Sequence, residues 1–240
     1  MKPYHGILAL ISYLVLQFLA AGLISVEHYE PIAGVIALFV FGWLLRKKRM
    51  LHLSSRDLKG SLLLSCVGIG IGLALLSKLT FVVGVLTTQP VVLEQSSAAS
   101  PAFLWVESIA TKAVLIPIVE ELLFRGILFG SFASSFSYKL AIPLSAAIFA
   151  LVHYTVSWPM VFLIGTMLAW IYWRTGSLAA PMVIHCTVNF FALLSLPLYA
   201  LLAVNRTLGI LAALGLFLAG IPVTCLSTKR FLQKHDALPA

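Results

Sequence analysis

The chain has 240 residues, 61% of them apolar and only 10% charged, with a mean hydropathy of +1.05 and a formal net charge of +8. This makeup lies far from that of a soluble domain and identifies an integral membrane protein. The positive charge does not read as a nucleic-acid footprint, because Arg46, Lys47, Lys48, Arg49, Arg56 and Lys59 share one connection and others edge apolar runs, where they set orientation.

The opening MKPYHGILALISYLVLQFLA has the basic start and apolar core of a signal peptide. Its apolar run continues past a typical h-region and more spans follow, so it reads as a retained first span. Apolar runs near 7–26, 32–45, 61–88, 103–129, 140–156, 159–173, 178–198 and 207–226 predict about eight helices, some longer and some shorter than the roughly 20 residues a bilayer needs. The expected fold class is all-α, a polytopic transmembrane bundle.

The connection RKKRMLHLSSRDLK at 46–59 is the strongest orientation signal and is assigned to the cytoplasm, which by alternation places both termini there. Glu27 and Glu30 then fall outside, Lys139, Arg174, Lys229, Arg230 and Lys234 inside, and Arg206 alone on the wrong side. The polar, proline-containing stretch QPVVLEQSSAASP at 89–101 reads as the longest external loop. These features divide the chain into N-terminal helices and loop (1–102), a core (103–198), and a last helix with a basic tail (199–240).

GIGIG at 68–72 lies within a span, with no preceding strand and no lysine-serine pair, so it is read as close helix packing through Gly68 and Gly72, not as a phosphate loop. Cys66, Cys186 and Cys225 have neither disulfide nor thiolate-metal spacing. Lys78 and Lys112 are expected to snorkel to the outer interface, and Trp105, Trp158, Trp170 and Trp173 to act as interface anchors.

Ionisable groups inside spans are costly and usually have a task. Glu120, Glu121 and Arg125 lie in one such run. Residues four apart share a helical face, so Glu121 and Arg125 can pair, while Glu120 points elsewhere and is free to act as a general base. Pro117, one turn earlier, loosens the backbone there. The alternative is that EExxxR only pins this helix to its neighbours.

Two later helices carry matching groups, Phe149 and His153 in FALVH and His185 and Asn189 in HCTVN. Counting about 1.5 Å per residue from the inferred cytoplasmic ends puts Glu120, His153, His185 and Asn189 in one layer. Such a layer can activate water and stabilise an oxyanion, the inventory for cleaving an amide without a serine or cysteine nucleophile. The same groups can hold a divalent metal, form a proton relay in a transporter, or persist in a non-catalytic scaffold or immunity protein. Access for a peptide is expected near the basic, cytoplasmic face.

EELLFR at 120–125, FALVH at 149–153 and HCTVN at 185–189 resemble the CPBP intramembrane proteases, also called the Abi or type II CAAX prenyl protease family, whose pattern is EExxxR, FxxxH and HxxxN on successive helices. The resemblance covers about 103–198. It implies a helical bundle around a water-open cavity and an endopeptidase acting on a protein or peptide substrate, lipidated or membrane-anchored. By similarity, Glu120 and His153 would activate water, His185 and Asn189 would form the oxyanion site, and Glu121, Arg125 and Phe149 would support them. The family has been described both as metalloproteases and as glutamate-dependent proteases. Asn189 suits an oxyanion donor better than a metal ligand, so glutamate chemistry without a cofactor is favoured, with zinc on Glu120, His153 and His185 as the metal-dependent alternative. Membrane lipid is an expected partner and nucleic acid is not. The short chain without an organelle-targeting tail points to a bacterial plasma membrane.

Overall fold

The computed structural model describes residues 2–23, 29–48, 50–53, 60–87, 109–193 and 196–236. The stretch 89–101, Glu27, Trp105 and most of the 49–59 connection lie outside the described residues. Among the described residues the fold is all-α.

Helix α1 (Pro3–Leu23) is followed by α2 (Tyr29–Lys47), which carries Glu30 in its first turn and Arg46 and Lys47 in its last, charges that complement the helix dipole. Helix α3 (Gly60–Leu76) passes through a turn at Ser77 into α4 (Lys78–Thr87). Helix α5 is a composite over 109–133, with π-wound stretches Ile109–Leu115 and Leu122–Phe129 flanking α-helical Ile116–Glu121, and Gly130–Ala133 closing it. Helices α6 (Tyr138–Leu151), α7 (Trp158–Thr175) and α8 (Ala179–Leu193) complete the core. Gly176 ends α7 in the left-handed conformation, at φ 66°, that glycine adopts most readily. A short α9 (Leu196–Val204) leads to α10 (Arg206–Asp236).

The eight expected apolar units correspond to α1, α2, α3 with α4, α5, α6, α7, α8 and α10. Among the described residues, five stretches are long and apolar enough to cross a membrane: Pro3–Leu23, Tyr29–Lys47, Gly60–Gly84, Thr155–Thr175 and Arg206–His235. Tyr138–Leu151 and Ala179–Leu193 are apolar but shorter, and α5 is interrupted by Lys112, Glu120, Glu121 and Arg125. Helix α9, which the sequence pattern ran together with its predecessor, is separate.

Two buried clusters organise the packing. One joins α1, α2, α5 and α6 through residues such as Phe41, Leu45, Leu123, Phe124 and Phe149. The other joins α3, α7, α8 and α10 through Cys66, Ile69, Leu168, Ile184 and Phe231. Because lipid is as apolar as leucine, such helices associate by close packing, and small residues permit it. Gly68 and Gly72 face Ser227 and Thr224 of α10, as the helix-packing reading of GIGIG expects. Gly70 faces α8, where an added Cβ would stand 2.5 Å from Thr187 Cβ and 2.8 Å from the Ile184 carbonyl. Those contacts bracket His185 and fix its height against α3. Lys78, expected to snorkel outward, is instead only 8% exposed.

Candidate active site

The site is built on α5. Its backbone changes from π to α winding at Leu115 and Ile116 and returns to π after Glu121, and interruptions of this kind are frequent at functional sites. Pro117 has no N–H with which to close a π turn onto the Lys112 carbonyl. That carbonyl accepts a hydrogen bond from Asn189 Nδ2 at 3.0 Å. The loosening expected at Pro117 thus takes the form of a change in winding, and a side chain from α8 occupies the gap.

Consecutive residues on α5 diverge by about 100°, and the two glutamates face different surroundings. Glu121 turns into the bundle and is fully buried. Its Oε1 accepts from Arg125 Nη1 at 3.0 Å and from His185 Nδ1 at 2.6 Å. Its Oε2 is buried without a hydrogen-bond partner among the described residues. Arg125, also buried, sends Nη2 to the Gly165 carbonyl of α7 at 3.2 Å and lays its guanidinium 4.5 Å above the Phe149 ring. Gly165 allows that approach, since a Cβ there would lie 3.1 Å from Phe149 Cδ1. The ion pair expected from the i, i+4 spacing is present, with His185 as a third member that the spacing could not reveal.

Glu120 faces a cavity, with its side chain 15% exposed. Its Oε2 lies 3.5 Å from His185 Nε2, so the imidazole stands between the two carboxylates. A carboxylate only accepts, so Nδ1–H donates to Glu121. When Nε2 also carries hydrogen, Glu120, Glu121, Arg125 and His185 sum to zero charge.

His153 sits just beyond the end of α6, in the turn before α7, and not within a helix as the motif spacing implied. Helix ends leave carbonyls without intrahelical donors, and His153 Nδ1 lies 2.7 Å from one of them, Phe149 O. A carbonyl also only accepts, so Nδ1 carries the hydrogen, and in the neutral ring Nε2 keeps its lone pair. Trp158 Nε1 donates to the His153 carbonyl at 2.8 Å and fixes the turn. Phe149 is the common buttress: its ring centroid is 4.7 Å from His153, 5.8 Å from His185 and 4.9 Å from Phe124, each in an edge-on arrangement.

Glu120, His153, His185 and Asn189 all line one cavity of about 740 Å³, while Glu121, Arg125 and Phe149 lie behind its wall. The opposite wall comes from α1 and α2, chiefly Leu10, Tyr13, Leu14, Gln17, Phe18, Tyr29 and Glu30. Tyr13 accepts from Gln17 Nε2 at 2.8 Å. Glu30 reaches Lys112 at 4.0 Å across the mouth. Motif reading missed the α1 wall and the hydrogen bond from Trp158, which the pattern cast only as an interface anchor. Tyr13 and Gln17 are four apart on an apolar helix, the one local signal that marked them.

For a metal, His185 Nε2 and Glu120 Oε2 face one another as two ligands would. Among the described residues, however, no three His, Cys, Asp or Glu side chains gather closely enough to hold one ion. The Glu120, His153 and His185 set is not assembled at ligand distances.

Residues 101–191 match the family model described as type II CAAX prenyl endopeptidase Rce1-like. Over 80 residues the chain is 32% identical to the UPF0177 protein YxdF of Lactococcus lactis subsp. lactis (strain IL1403), a match covering 32% of this chain and 44% of that protein. No solved structure matches. The family match takes in all three motifs, and the resemblance read from them is borne out.

Proposed function

We propose that this membrane protein, whose residues 101–191 match the Rce1-like endopeptidase family, is an intramembrane endopeptidase that cleaves a membrane-associated protein or peptide. The observation that carries the reading is the meeting of Glu120 from α5, His153 from the turn after α6, and His185 and Asn189 from α8 on one cavity, with the Glu121–Arg125 pair behind them.

In this reading Glu120 and His153 Nε2 hold a water against the scissile carbonyl. Glu120 takes its proton as the oxygen attacks the carbonyl carbon. The carbonyl oxygen becomes an oxyanion that receives the Nε2–H of His185 and the N–H of Asn189 not engaged with Lys112. The proton on Glu120 passes to the leaving nitrogen, the C–N bond breaks, and a carboxylic acid and an amine depart. Glu121 and Arg125 supply no atom to the reaction. They hold the His185 ring at the angle from which Nε2 faces Glu120.

The division between 1–102, 103–198 and 199–240 is part of this proposal, with the reaction assigned to the middle segment and one wall of the cavity to the first. The test compares wild type with Glu120→Gln, which preserves shape but removes the base. Both are purified in nanodiscs and incubated with a quenched library of plain and lipidated peptides, with and without chelator. Cleavage by wild type, lost in Glu120→Gln and indifferent to chelator, is expected. Loss on chelation with rescue by a divalent ion would instead make Glu120, His153 and His185 a zinc site. Cleavage that survives in Glu120→Gln would overturn the assignment.

A further inference from the structure

The structure assigns the cavity to the end of the bundle opposite its basic end, and from this we infer that the protein works on a segment presented on the extracytoplasmic side of the membrane. The substrate part rests on the peptidase reading. The placement of the cavity stands on geometry and charge.

Contacts between helices define the two ends. At one, the start of α1 meets α5 where Gly6 touches Leu128 and Ser131, and the residues after α2 reach α5 and α8 through Met50 beside Gly130 and through Leu178 N–H to the His52 carbonyl at 2.9 Å. Tyr138, opening α6, stacks on Trp173 near the end of α7 at 4.1 Å between centroids. This end carries Lys2, Arg46, Lys47, Lys48, Lys139 and Arg174, with Lys229, Arg230 and Lys234 where α10 ends beside the start of α3.

At the other end, α8 meets the start of α5 through Asn189 and the Lys112 carbonyl, and Lys112 meets Glu30 at the start of α2. Only Lys78, Lys112 and Arg206 represent the cations there among the described residues. The positive-inside rule places the end rich in lysine and arginine in the cytoplasm.

The cavity opens at the cation-poor end and reaches inward as far as Leu10 and Phe124. It reaches the surface at Phe18 and Tyr154, the latter 88% exposed. Towards the basic end this cavity is closed off by Leu128, Phe129 and Phe132, each at most 3% exposed, and the separate hollow there, lined by His5, Leu8, Lys48 and Met50, includes none of its polar residues. On α2, Glu30 at the cavity mouth and Arg46 at the basic end are separated by roughly 24 Å along the axis, most of a hydrocarbon core of about 30 Å. The access expected beside the basic connection is therefore on the wrong side: the chain's own charge distribution turns the mouth away from the cytoplasm.

Orientation is tested without activity. In a background with Cys66, Cys186 and Cys225 replaced by alanine, single cysteines are placed at Tyr154 or Val204 on the cavity end and at Lys48 or Ser135 on the basic end. Intact cells are treated with a membrane-impermeant maleimide. Labelling of Tyr154→Cys and Val204→Cys in intact cells, with Lys48→Cys and Ser135→Cys reacting only after the membrane is opened, is expected. The reverse pattern, or labelling of both ends from outside, overturns the inference. Right-side-out vesicles then test the substrate side: cleavage of added peptide by wild type and not by Glu120→Gln supports it, and cleavage confined to inverted vesicles refutes it. Silence in both orientations counts against the peptidase reading, and the labelling still decides the placement.

Discussion

Arg125→Met is the most direct perturbation of the groups behind the cavity wall. Arg125 and Glu121 are 2% and 0% exposed and meet at 3.0 Å, so neither has water to fall back on. Removing one partner leaves a buried carboxylate whose remaining contact is the His185 ring, and breaking a buried pair in this way costs about 3–5 kcal/mol. The lost bond to Gly165 adds little, because that carbonyl lies inside α7 and keeps its place in the helix. For a chain of this size each kcal/mol moves the melting point by about 2–4 °C, so Arg125→Met is expected to melt about 6–20 °C below wild type. The assay is thermal denaturation in a fixed detergent, read by circular dichroism and by loss of monodispersity. Arg125→Met/Glu121→Gln should recover part of the loss, since it removes both charges, and the difference gives a coupling energy. If Arg125→Met melts within a degree or two of wild type, or the double variant is simply the sum of the singles, the account of a structural buried pair is wrong.

Other consequences follow from the same geometry. Phe149→Leu keeps bulk but removes the face against which His153, His185 and the guanidinium lie, and a rate reduced by about 10–100-fold is expected from misplacement. His153→Ala removes one of the two groups that hold the attacking water and should lose about 10²-fold or more, and equal activity in both variants and wild type would sink the assignment. Trp158→Phe deletes the donor to the His153 carbonyl, a bond worth about 1 kcal/mol; kcat should fall while KM and the melting point stay close to wild type. Gly70→Ala drives a methyl into Thr187 and the Ile184 carbonyl and should destabilise by about 1–3 kcal/mol. Gly42→Ala is its control: nothing lies within 4 Å of a Cβ at that site, and its melting point should not fall.

How much of this was legible depended on the distance over which each feature is determined. The Glu121–Arg125 pair follows from helical period alone, and the shared layer of Glu120, His153, His185 and Asn189 follows from period plus alternating topology. Features that break the period were not legible. His153 lies past the end of α6, so its four-residue spacing from Phe149 expresses a bond to a terminal carbonyl and not a shared helical face. Trp158 bonds to His153 across five residues of turn. The π winding around Glu120 leaves no periodic mark, because one extra residue per turn is too small a change to read among uniformly apolar neighbours. Tyr13 and Gln17 reach the cavity only through tertiary packing of α1, and an apolar span does not announce which face another helix covers.

In the proposed reading, the adjacency of the two glutamates lets a single short motif serve both tasks. Two carboxylates aimed at the same space would repel and compete for one cation. The rotation between neighbours instead sends Glu121 inward, where Arg125 and His185 fix it, and leaves Glu120 on the cavity wall 3.5 Å from the other face of the same imidazole. His185 is thus the mechanical link: a displacement of the buried pair must rotate the ring and move the Nε2 that faces Glu120. A polar cluster serving only to join helices needs Glu121, Arg125 and the Gly165 carbonyl. It has no use for a second carboxylate on an open wall, nor for a histidine past a helix end on that same wall. In the proposed reading those are the two groups placed to meet a substrate, since both line the cavity while Glu121 and Arg125 lie behind its wall.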